Sequence, residues 1–252
     1  MRVAFVGAGN LATSMAVALH EAGHAVVQVY SRTEESARAL ASRVGATAIS
    51  NFADMVDDAD IYIISVTDSA LADVASNAVK GREDSLFVHT AGSIPMDVIP
   101  ARRRGVVYPM QSFSKQRLVD FSSIPIFIEA ADADDLSLLK QLALSISGSV
   151  SELSSADRLY LHLAAVFCSN FVNHCYALSE EILNKHGIPF SAMYPLLDEV
   201  AKKVHTVSPK DAQTGPASRH DWNVVNKHLM MLADSPRLQS IYQLMSKSIA
   251  DD

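Results

Sequence analysis

Cysteine is scarce in this sequence, which has only Cys168 and Cys175 among its 252 residues. The two stand seven residues apart in an apolar stretch with helical periodicity. We therefore expect small core side chains in a reducing compartment. Neither a disulfide nor a metal site is expected from this pair.

Positive charge is also in short supply. The chain has 21 lysines and arginines against 28 aspartates and glutamates, which gives a formal net charge of -7 and an isoelectric point near 5.7. Nucleic-acid-binding domains usually carry a basic face, so this balance argues against that class of protein. A local basic pocket for a phosphate remains compatible with it.

A long apolar run is missing as well. The most apolar stretch, residues 159–178, is interrupted by His162, Asn170, Asn173 and His174, which argues against a membrane span. The first residues already have the composition of a strand, and we expect no signal peptide before them. We therefore expect a soluble, cytoplasmic protein with neither nucleic-acid nor membrane partners.

Short apolar runs alternate with helical patterns over the first 150 residues. The runs are rich in β-branched residues and nearly continuously apolar, which is typical of a parallel sheet covered on both faces. They occur at 2–7, 25–31, 46–50, 61–67, 85–92, 105–110 and 124–130, with a last short strand or connector at 148–153. Helical periodicity predicts helices at 11–23, 34–45, 52–59, 69–79 and 132–146. The alternation predicts an α/β fold that starts with a Rossmann domain, a doubly wound and mostly parallel sheet.

The strand pattern stops near residue 152. Residues 154–187 are expected to form one long helix, with Ser154 as its N-cap and with Gly187 and Pro189 at its end. Further helices are expected at 191–207, 223–233 and 235–252. The prediction is a Rossmann domain at 1–152 and a C-terminal all-α domain at 153–252.

The first predicted strand leads into the pattern Gly7-x-Gly9-x-x-Ala12 and then into a helix. In dinucleotide-binding proteins the first glycine permits a tight turn, and the second lets the backbone approach a pyrophosphate. The N-terminus of the following helix stabilises the phosphate charge. The alternative is a glycine turn that serves packing only. We assign cofactor contacts in this segment to Gly7, Ala8, Gly9, Asn10 and Leu11.

The end of the second strand decides which dinucleotide fits. NAD sites usually place an acidic side chain there, whereas this chain has Ser31 and Arg32. A hydroxyl and a guanidinium suit the 2′-phosphate of NADP, so NADP (NADPH) is preferred over NAD. The alternative is an exposed Arg32, with Glu34 or Glu35 binding the ribose of NAD.

Further strand ends are expected at the same edge of the sheet, where open α/β sheets bind their ligands. Asp68 could equally be a helix N-cap, His89 a structural histidine, and residues 108–115 an ordinary loop. We expect the cofactor channel to be lined by Val66, Thr67, Asp68, His89, Thr90 and Gly92, and its nicotinamide end by Tyr108, Gln111 and Ser112.

Five segments carry a resemblance to a known family: "VGAGNLA", "HTAGSIP", "YPMQSFS", "HLAAVFCSNFVNHCYAL" and "AQTGPASRHD". Over nearly its whole length the chain resembles Rossmann-type NADP oxidoreductases whose second half is a helical domain of unknown function. That domain belongs to the 6-phosphogluconate dehydrogenase C-terminal-like superfamily. The N-terminal half is also similar to pyrroline-5-carboxylate reductases and deazaflavin-dependent NADP reductases. The resemblance implies NADP binding and a homodimer formed by the helical domain, but no particular substrate.

Two departures from related proteins concern catalysis. Tyr108 stands where the family usually has a histidine, and no lysine occurs between Lys140 and Lys185, where related hydroxyacid dehydrogenases carry a catalytic lysine. Oxidation of a hydroxy acid needs a base, and His162 is our candidate. An imine could instead accept the hydride directly, with solvent or a hydroxyl handling the proton.

Polar side chains accompany His162 on the predicted long helix. At 100° per residue, Ser169 and Asn173 fall within about 20° of His162, and Asn170 falls within about 80°. Unpaired polar groups are costly to bury, so this stripe needs partners. It either lines a substrate pocket or fastens the helix to the Rossmann domain.

The stretch "DAQTGPASRHDW", residues 211–222, is polar and breaks the helical pattern. Thr214 can hydrogen-bond a carbonyl or carboxylate, and Arg219 can bind a carboxylate in a bidentate way if Asp221 holds it. The resemblance to pyrroline-5-carboxylate reductases implies a substrate loop near a dimer interface. The alternative is a helix connector with a solvated Arg219–Asp221 pair. His228 is expected at the surface or at an interface.

The sequence thus predicts an NADP-dependent oxidoreductase that reduces a small carbonyl, imine or carboxylate-bearing substrate and acts as a homodimer. Pyrroline-5-carboxylate reduction itself is a narrower option. The alternative from a different class is a non-catalytic dinucleotide-binding sensor or scaffold. The predicted catalytic or substrate-binding residues are His162, Asn170, Thr214 and Arg219.

Overall fold

The computed structural model describes residues 1–114 and 117–251, which form two compact units, Met1–Ser169 and Asn170–Asp252. The first unit contains a sheet with the strand order β3-β2-β1-β4-β5-β6-β7-β8. Its strands are β1 (Arg2–Val6), β2 (Ala25–Tyr30), β3 (Thr47–Ile49), β4 (Ile61–Ile64), β5 (Leu86–His89), β6 (Arg103–Pro109), β7 (Ile126–Ala130) and β8 (Val150–Glu152). Neighbouring strands pair in parallel except β6 and β7. The predicted α/β fold with a mostly parallel sheet is confirmed.

Helices cover both faces of this sheet. They are α1 (Asn10–Glu21), α2 (Glu34–Val44), α3 (Asp68–Val79), α4 (Ala133–Leu144) and α5 (Ser155–Ala165). Side chains alternate along β1, so that Val3 and Phe5 pack in one buried cluster with α1, α2 and α4. Ala4 and Val6 pack in the other cluster, with α3. Burial on both faces explains why the strands read as continuous apolar runs.

The prediction of a helix at 52–59 is wrong. That segment contains only a 3₁₀ turn, Phe52–Asp54, capped by the side chain of Asn51. The side chain of Gln28 holds the following residues in an extended path, since it donates to the Asp54 carbonyl at 2.9 Å and accepts from the Val56 N–H at 2.9 Å. A single buried polar side chain on β2 thus replaces the helical hydrogen bonds.

The long helix predicted at 154–187 is present but is not regular. Ser154 caps α5 by accepting from the Asp157 N–H at 3.1 Å, as predicted. A π-helical segment, Val166–Phe171, then leads into α6 (Val172–Asn184). Hydrogen bonds in a π-helix span five residues, so its turn is wider than an α-helical turn. The angles expected between His162, Asn170 and Asn173 on a regular helix therefore do not hold across this segment.

All regular secondary structure in the described residues of the second unit is helical. After α6 it contains α7 (Tyr194–Lys203), α8 (Pro209–Ala212), α9 (Trp222–Met231) and α10 (Pro236–Ala250), with 3₁₀ turns at Phe190–Met193 and Ala217–Arg219. The C-terminal all-α region is thereby confirmed. The last strand ends at Glu152, whereas the first compact unit continues through α5 to Ser169.

The prediction that both cysteines are core residues is wrong, because Cys168 and Cys175 are exposed. Large apolar neighbours such as Leu163 and Val172 are exposed as well. The apolar character of this stretch therefore does not come from a core within the described chain. Among residues 1–114 and 117–251, no helix is both long and apolar enough to cross a membrane.

Candidate functional site

A cleft of about 720 Å³ opens at the carboxyl ends of the strands in the first unit. Segments that follow β1, β2, β4, β5 and β6 form its walls, and α5 contributes one side chain, His162. The position agrees with the rule that open α/β sheets bind ligands beyond the carboxyl ends of their strands. The glycine turn, Ser31 and Arg32, Tyr108 and His162 all line this one cleft.

The glycine turn has the geometry that a dinucleotide requires. Gly7 has φ +120°, and a Cβ there would lie 2.1 Å from the Ser65 carbonyl oxygen, so no other residue fits without moving the backbone. A Cβ at Gly9 would meet nothing within 4 Å. Helix α1 starts at Asn10 without a side-chain cap, which leaves its N-terminus able to bind an anion. The residues present therefore fit a pyrophosphate, which agrees with the assignment of Gly7, Ala8, Gly9, Asn10 and Leu11.

The end of β2 presents a cation and hydroxyls to the cleft. The lining here consists of Ser31, Arg32, Thr33 and Ser36, and Arg32 is exposed. Glu34, which sequence analysis considered for the ribose of NAD, forms an ion pair with Arg38 at 2.5 Å along α2. The Arg32 guanidinium and the neighbouring hydroxyls are groups that can bind a phosphate, and the preference for NADP over NAD stays a prediction.

The ends of β4 and β5 contribute small and polar residues. Val66, Thr67 and Thr90 line the cleft, and Thr90 Oγ1 donates to Ser65 Oγ at 3.1 Å. Asp68 also lines the cleft and accepts a hydrogen bond from the Ser93 hydroxyl. The residue that precedes α3 as N-cap is Thr67, so Asp68 is not the cap.

His89 lies beneath the cleft rather than in it. Its side chain is fully buried, Nδ1 accepts from the Ala91 N–H at 3.1 Å, and Nε2 lies 3.3 Å from the Pro95 carbonyl oxygen. Since Nδ1 accepts, Nε2 carries the hydrogen and donates to Pro95. Burial, helped by the charge of Arg158, lowers the pKa of His89 to about 4. These features match a neutral structural histidine that shapes the loop after β5, and its assignment to the cofactor stays a prediction.

Tyr108 and His162 form a hydrogen-bonded pair in the cleft. Tyr108 is the penultimate residue of β6, and its Oη lies 3.2 Å from His162 Nδ1 on α5, with the rings edge to face. Gly92 lies against both rings: a Cβ there would be 2.5 Å from His162 Nδ1 and 2.9 Å from Tyr108 Cζ. Burial raises the pKa of the Tyr108 phenol, against a smaller opposite effect of Arg158. The phenol is therefore protonated at neutral pH.

A buried ion pair fixes the start of α5. Arg158 is fully buried, and its Nη1 donates to Glu129 Oε2 on β7 at 2.6 Å. Its Nη2 donates to the Ile94 carbonyl at 2.7 Å, and Glu129 also accepts from the N–H and hydroxyl of Ser155 at 2.9 and 2.6 Å. Residues four apart share a helix face, so this network places His162 over the loop that carries Gly92.

The other predicted substrate residues belong to the second unit. Asn170 is in the π-helical segment, a kind of irregularity that is frequent at functional sites. Thr214 and Arg219 are exposed, and Gly215, with φ +115°, makes the turn between them. Asp221 accepts from the Val224 N–H and caps α9, which gives it a role other than the predicted support of Arg219. The roles of Asn170, Thr214 and Arg219 stay predictions.

Sequence analysis missed Arg158 and Glu129 and the steric role of Gly92. Tyr108 and Gln111 line the cleft, as does Phe113, whose carbonyl accepts from Asn10 Nδ2 at 3.0 Å. Ser112 donates its N–H to Gln111 Oε1.

Within residues 1–114 and 117–251, no group of three or more His, Cys, Asp or Glu is placed to hold a metal ion.

Two family models match the chain. One, described as NADP oxidoreductase coenzyme F420-dependent, matches residues 2–92, and the other, a domain of unknown function named DUF2520, matches residues 124–249. The structure of BF3122 from Bacteroides fragilis, provisionally described as an NADP oxidoreductase, is 52% identical. It superposes with a TM-score of 0.95, covering 100% of this chain and 98% of that one. No curated protein sequence matches the chain.

Two more distant structures share the fold. An imine reductase from Myxococcus stipitatus in complex with NADP⁺ has 15% identity and a TM-score of 0.67, over 100% of this chain and 93% of its own. A pyrroline carboxylate reductase from Plasmodium falciparum with NADP bound has 12% identity and a TM-score of 0.63, over 99% and 98%. The chain belongs to the family of NADP oxidoreductase-like proteins that combine a Rossmann-type domain with a DUF2520 domain.

Proposed function

We propose that this family member is an NADPH-dependent reductase of a small substrate with a C=N or C=O bond. The observation that supports the proposal is one cleft that combines a glycine turn, an exposed arginine and a hydrogen-bonded Tyr–His pair. NADPH bound there would supply the hydride. The imine reductase and pyrroline carboxylate reductase among the structural neighbours favour an imine as the substrate.

The residues of the first unit divide into cofactor-holding and proton-handling groups. Gly7, Ala8, Gly9, Asn10 and Leu11 would hold the pyrophosphate, Ser31 and Arg32 the 2′-phosphate, and Val66, Thr67 and Thr90 the nicotinamide half. His162 would handle the proton, because it is the imidazole that lines the cleft. Preference for NADPH over NADH follows from Arg32 and from the engagement of Glu34 by Arg38.

Residues of the second unit would bind the substrate. The Arg219 guanidinium would bind a carboxylate of the substrate, and Asn170 and Thr214 would bind its other polar groups. This part of the proposal is supported by the exposure of all three side chains and by the placement of Asn170 in the π-helical segment.

The alternative is a sensor or scaffold that binds the dinucleotide without turnover. The buried Arg158–Glu129 pair disfavours it. Burying two charges carries a desolvation cost, and here that pair holds the helix on which His162 lies. A protein that only binds the cofactor would have no use for this placement of an imidazole.

The first experiment is a fluorescence titration of NADPH and NADH into the wild-type protein and Arg32→Ala. We expect Arg32→Ala to weaken NADPH binding about 10- to 100-fold, because a charge-assisted bond to the 2′-phosphate is lost, while NADH binding changes little. Turnover of NADPH is then followed with 1-pyrroline-5-carboxylate, 2-methyl-1-pyrroline and pyruvate, which are a carboxylate-bearing imine, a plain imine and a keto acid.

Arg102→Ala is the matched control, since Arg102 is also an exposed arginine but pairs with Asp84 and does not line the cleft. Equal weakening of NADPH and NADH by Arg32→Ala would contradict the cofactor assignment. Failure of the wild-type protein to bind either nucleotide would overturn the proposed function. Tight binding of NADPH without reduction of any of the three compounds would favour the sensor.

We further propose that two copies associate through the helical unit. Large apolar side chains on its helices are exposed in the single chain, among them Leu196, Val200, Met230, Leu244 and Met245. Monomeric proteins rarely expose so much apolar surface, and a second copy offers the same surface for self-complementary burial.

Charge placed on this surface is expected to separate the copies. Sedimentation of the wild-type chain should give about twice its 27.2 kDa mass, and Val200→Glu should give the single mass, because a two-fold interface would bury one new carboxylate from each copy. Leu144→Glu is the control, since Leu144 is equally apolar and 54% exposed but lies in the first unit. A wild-type protein that sediments as a single chain, or dissociation by Leu144→Glu alone, would contradict this assignment.

A further inference from the structure

The cleft contains two groups that can move a proton, and their geometry separates their roles. The Nδ1 edge of His162 faces Tyr108 Oη at 3.2 Å and is packed against the backbone at Gly92. Tyr108 is half-buried, and its hydroxyl also lies within hydrogen-bond distance of Met110 Sδ, at 3.5 Å. A thioether is a weak acceptor. The phenol hydrogen is therefore easily redirected to a stronger acceptor that enters the cleft.

The hydrogen bond between the two residues has two possible directions. Either the phenol donates to Nδ1, or Nδ1–H donates to the phenol oxygen and leaves the phenol hydrogen available. Only the second arrangement delivers a proton to a ligand. It also stabilises the phenolate that remains, because Nδ1–H then faces the new negative charge.

We propose that Tyr108 is the proton donor of the reduction and that His162 acts through it, as the group that returns a proton to the phenolate. This inference rests on the proposed function. It replaces direct proton transfer by His162 with a two-residue relay in which only the phenol touches the substrate.

The step balances as follows for an imine or a ketone. A hydride supplied by bound NADPH would add to the substrate carbon and leave NADP⁺, and the π electron pair of C=N or C=O would move to the nitrogen or oxygen. That atom takes the phenol proton of Tyr108. His162 passes its Nδ1 proton to the phenolate while its Nε2 takes a proton from solvent, so that no imidazolate forms, and exchange with solvent restores the Nδ1–H tautomer. An iminium that enters already protonated needs only the hydride, so ketones depend more strongly on the donor.

The sequence supplies an independent reason to look for such a donor. Hydride transfer to a carbonyl needs a group that supplies a proton, and no lysine occurs between Lys140 and Lys185. Among the residues that line the cleft, Tyr108 and His162 form a hydrogen-bonded pair of a phenol and an imidazole. The pair therefore fills a role that the missing lysine leaves open.

The test compares Tyr108→Phe with Tyr242→Phe. Tyr242 makes the same kind of contact in the second unit, where its Oη lies 2.8 Å from His228 Nδ1 and the rings are edge to face. Both substitutions remove one phenol oxygen from a Tyr–His pair. We expect Tyr108→Phe to lower kcat with pyruvate by about 10²- to 10⁴-fold, and to lower it less with 2-methyl-1-pyrroline, which can enter the cleft already protonated. Tyr242→Phe should lower kcat less than threefold with either probe. The Kd for NADPH should stay within threefold of wild type in both.

A second readout needs neither cofactor nor turnover. In ¹⁵N NMR of the free protein, the Nδ1 signal of His162 should shift when Tyr108 is replaced and should not shift when Tyr242 is replaced. His162→Gln should also lower kcat, and imidazole added to the buffer should restore part of it, because the relay needs a proton carrier beside the phenol. A merely structural role of His162 would show no such rescue.

The outcomes separate the inference from the function on which it rests. Loss of NADPH binding in the wild-type protein would overturn the proposed function and the relay together. Wild-type reduction of pyruvate with Tyr108→Phe retaining kcat within threefold would overturn the relay alone. If the ¹⁵N signal of His162 Nδ1 did not shift in Tyr108→Phe, that result would also overturn the relay, whatever turnover was measured. NADPH binding with no reduction of any probe would leave the pair as a structural contact and exclude a proton donor.

Discussion

Replacing Glu129 with alanine is expected to lower the free energy of unfolding by about 3–5 kcal/mol, since breaking a buried ion pair leaves its partner charged and unsolvated. Arg158, fully buried, would lose its only carboxylate contact among the described residues, and Ser155 would lose the acceptor of both its N–H and its hydroxyl. Arg158 Nε already has no hydrogen-bond partner within the described chain. Urea denaturation of the wild-type protein and the variant measures the difference.

Glu152→Ala is the matched control for this substitution. Glu152 pairs with Lys140 at 3.9 Å, and both side chains are more than half exposed, so its removal should cost about 1 kcal/mol or less. A loss at Glu129 that is no larger than the loss at Glu152 would contradict the assigned role of the buried pair.

The penalty at Glu129 is also expected to depend on pH. Burial by itself would raise the pKa of Glu129, but hydrogen bonds from Ser155 and Arg158 outweigh it and hold the pKa below its ordinary value of 4.5. A carboxyl whose pKa is depressed by folding stabilises the folded state above its unfolded pKa. The difference between wild type and Glu129→Ala should therefore be complete above about pH 4.5 and should shrink as the pH falls through the lower folded-state pKa.

Gly92→Ala is expected to lower turnover about 100-fold or more while the protein stays folded. The new Cβ would lie 2.5 Å from His162 Nδ1 and 2.9 Å from Tyr108 Cζ, so the two rings must move apart. These contacts, together with one to His162 Cγ at 2.9 Å, are all to side-chain ring atoms and none is to the backbone. A displacement of about 1 Å is enough to cost roughly 10²-fold in rate when a reacting group is involved. Stopped-flow or steady-state reduction of the best of the three probes measures the loss.

Gly148→Ala controls for the loss of a glycine as such. Gly148 has an ordinary φ, and its new Cβ would meet only the Ser122 carbonyl oxygen, at 3.4 Å. We expect its turnover to stay within threefold of wild type. If Gly92→Ala weakened NADPH binding more than it slowed turnover, the substitution would be acting on the cofactor and not on the Tyr108–His162 pair.

Features encoded in short stretches of sequence were predictable. The strand–glycine–helix pattern at Gly7 and Gly9 predicts the turn. A Cβ at Gly7 would collide with the Ser65 carbonyl oxygen, and glycine at position 9 leaves room for a ligand to approach the backbone. The apolar runs give the sheet, since burial on both faces leaves a continuous signal. The failure at 52–59 has a physical cause in Gln28, a side chain more than twenty residues away whose hydrogen bonds replace the helix.

Long-range pairs were not predictable. Arg158 lies on an amphipathic helix, where a charged side chain normally faces water, and nothing in the sequence near it identifies Glu129 as its partner. Tyr108 and His162 were each singled out, but their contact joins residues 54 apart and depends on how α5 packs on the loop after β5. The steric role of Gly92 depends on that contact, so it could not be predicted without knowing the contact.

The π-helical segment Val166–Phe171 has a consequence for chain length. A π turn accommodates one more residue than an α-helical turn between the same two ends. If a single residue within 166–171 were lost, the segment could therefore return to α-helical hydrogen bonding. His162 and the residues of α6 would then each keep the helix face that they have now. Loss of one residue between Arg158 and His162 would instead rotate His162 by about 100° relative to Arg158. Length variation between relatives of this protein should accordingly be tolerated at 166–171 and excluded between Arg158 and His162.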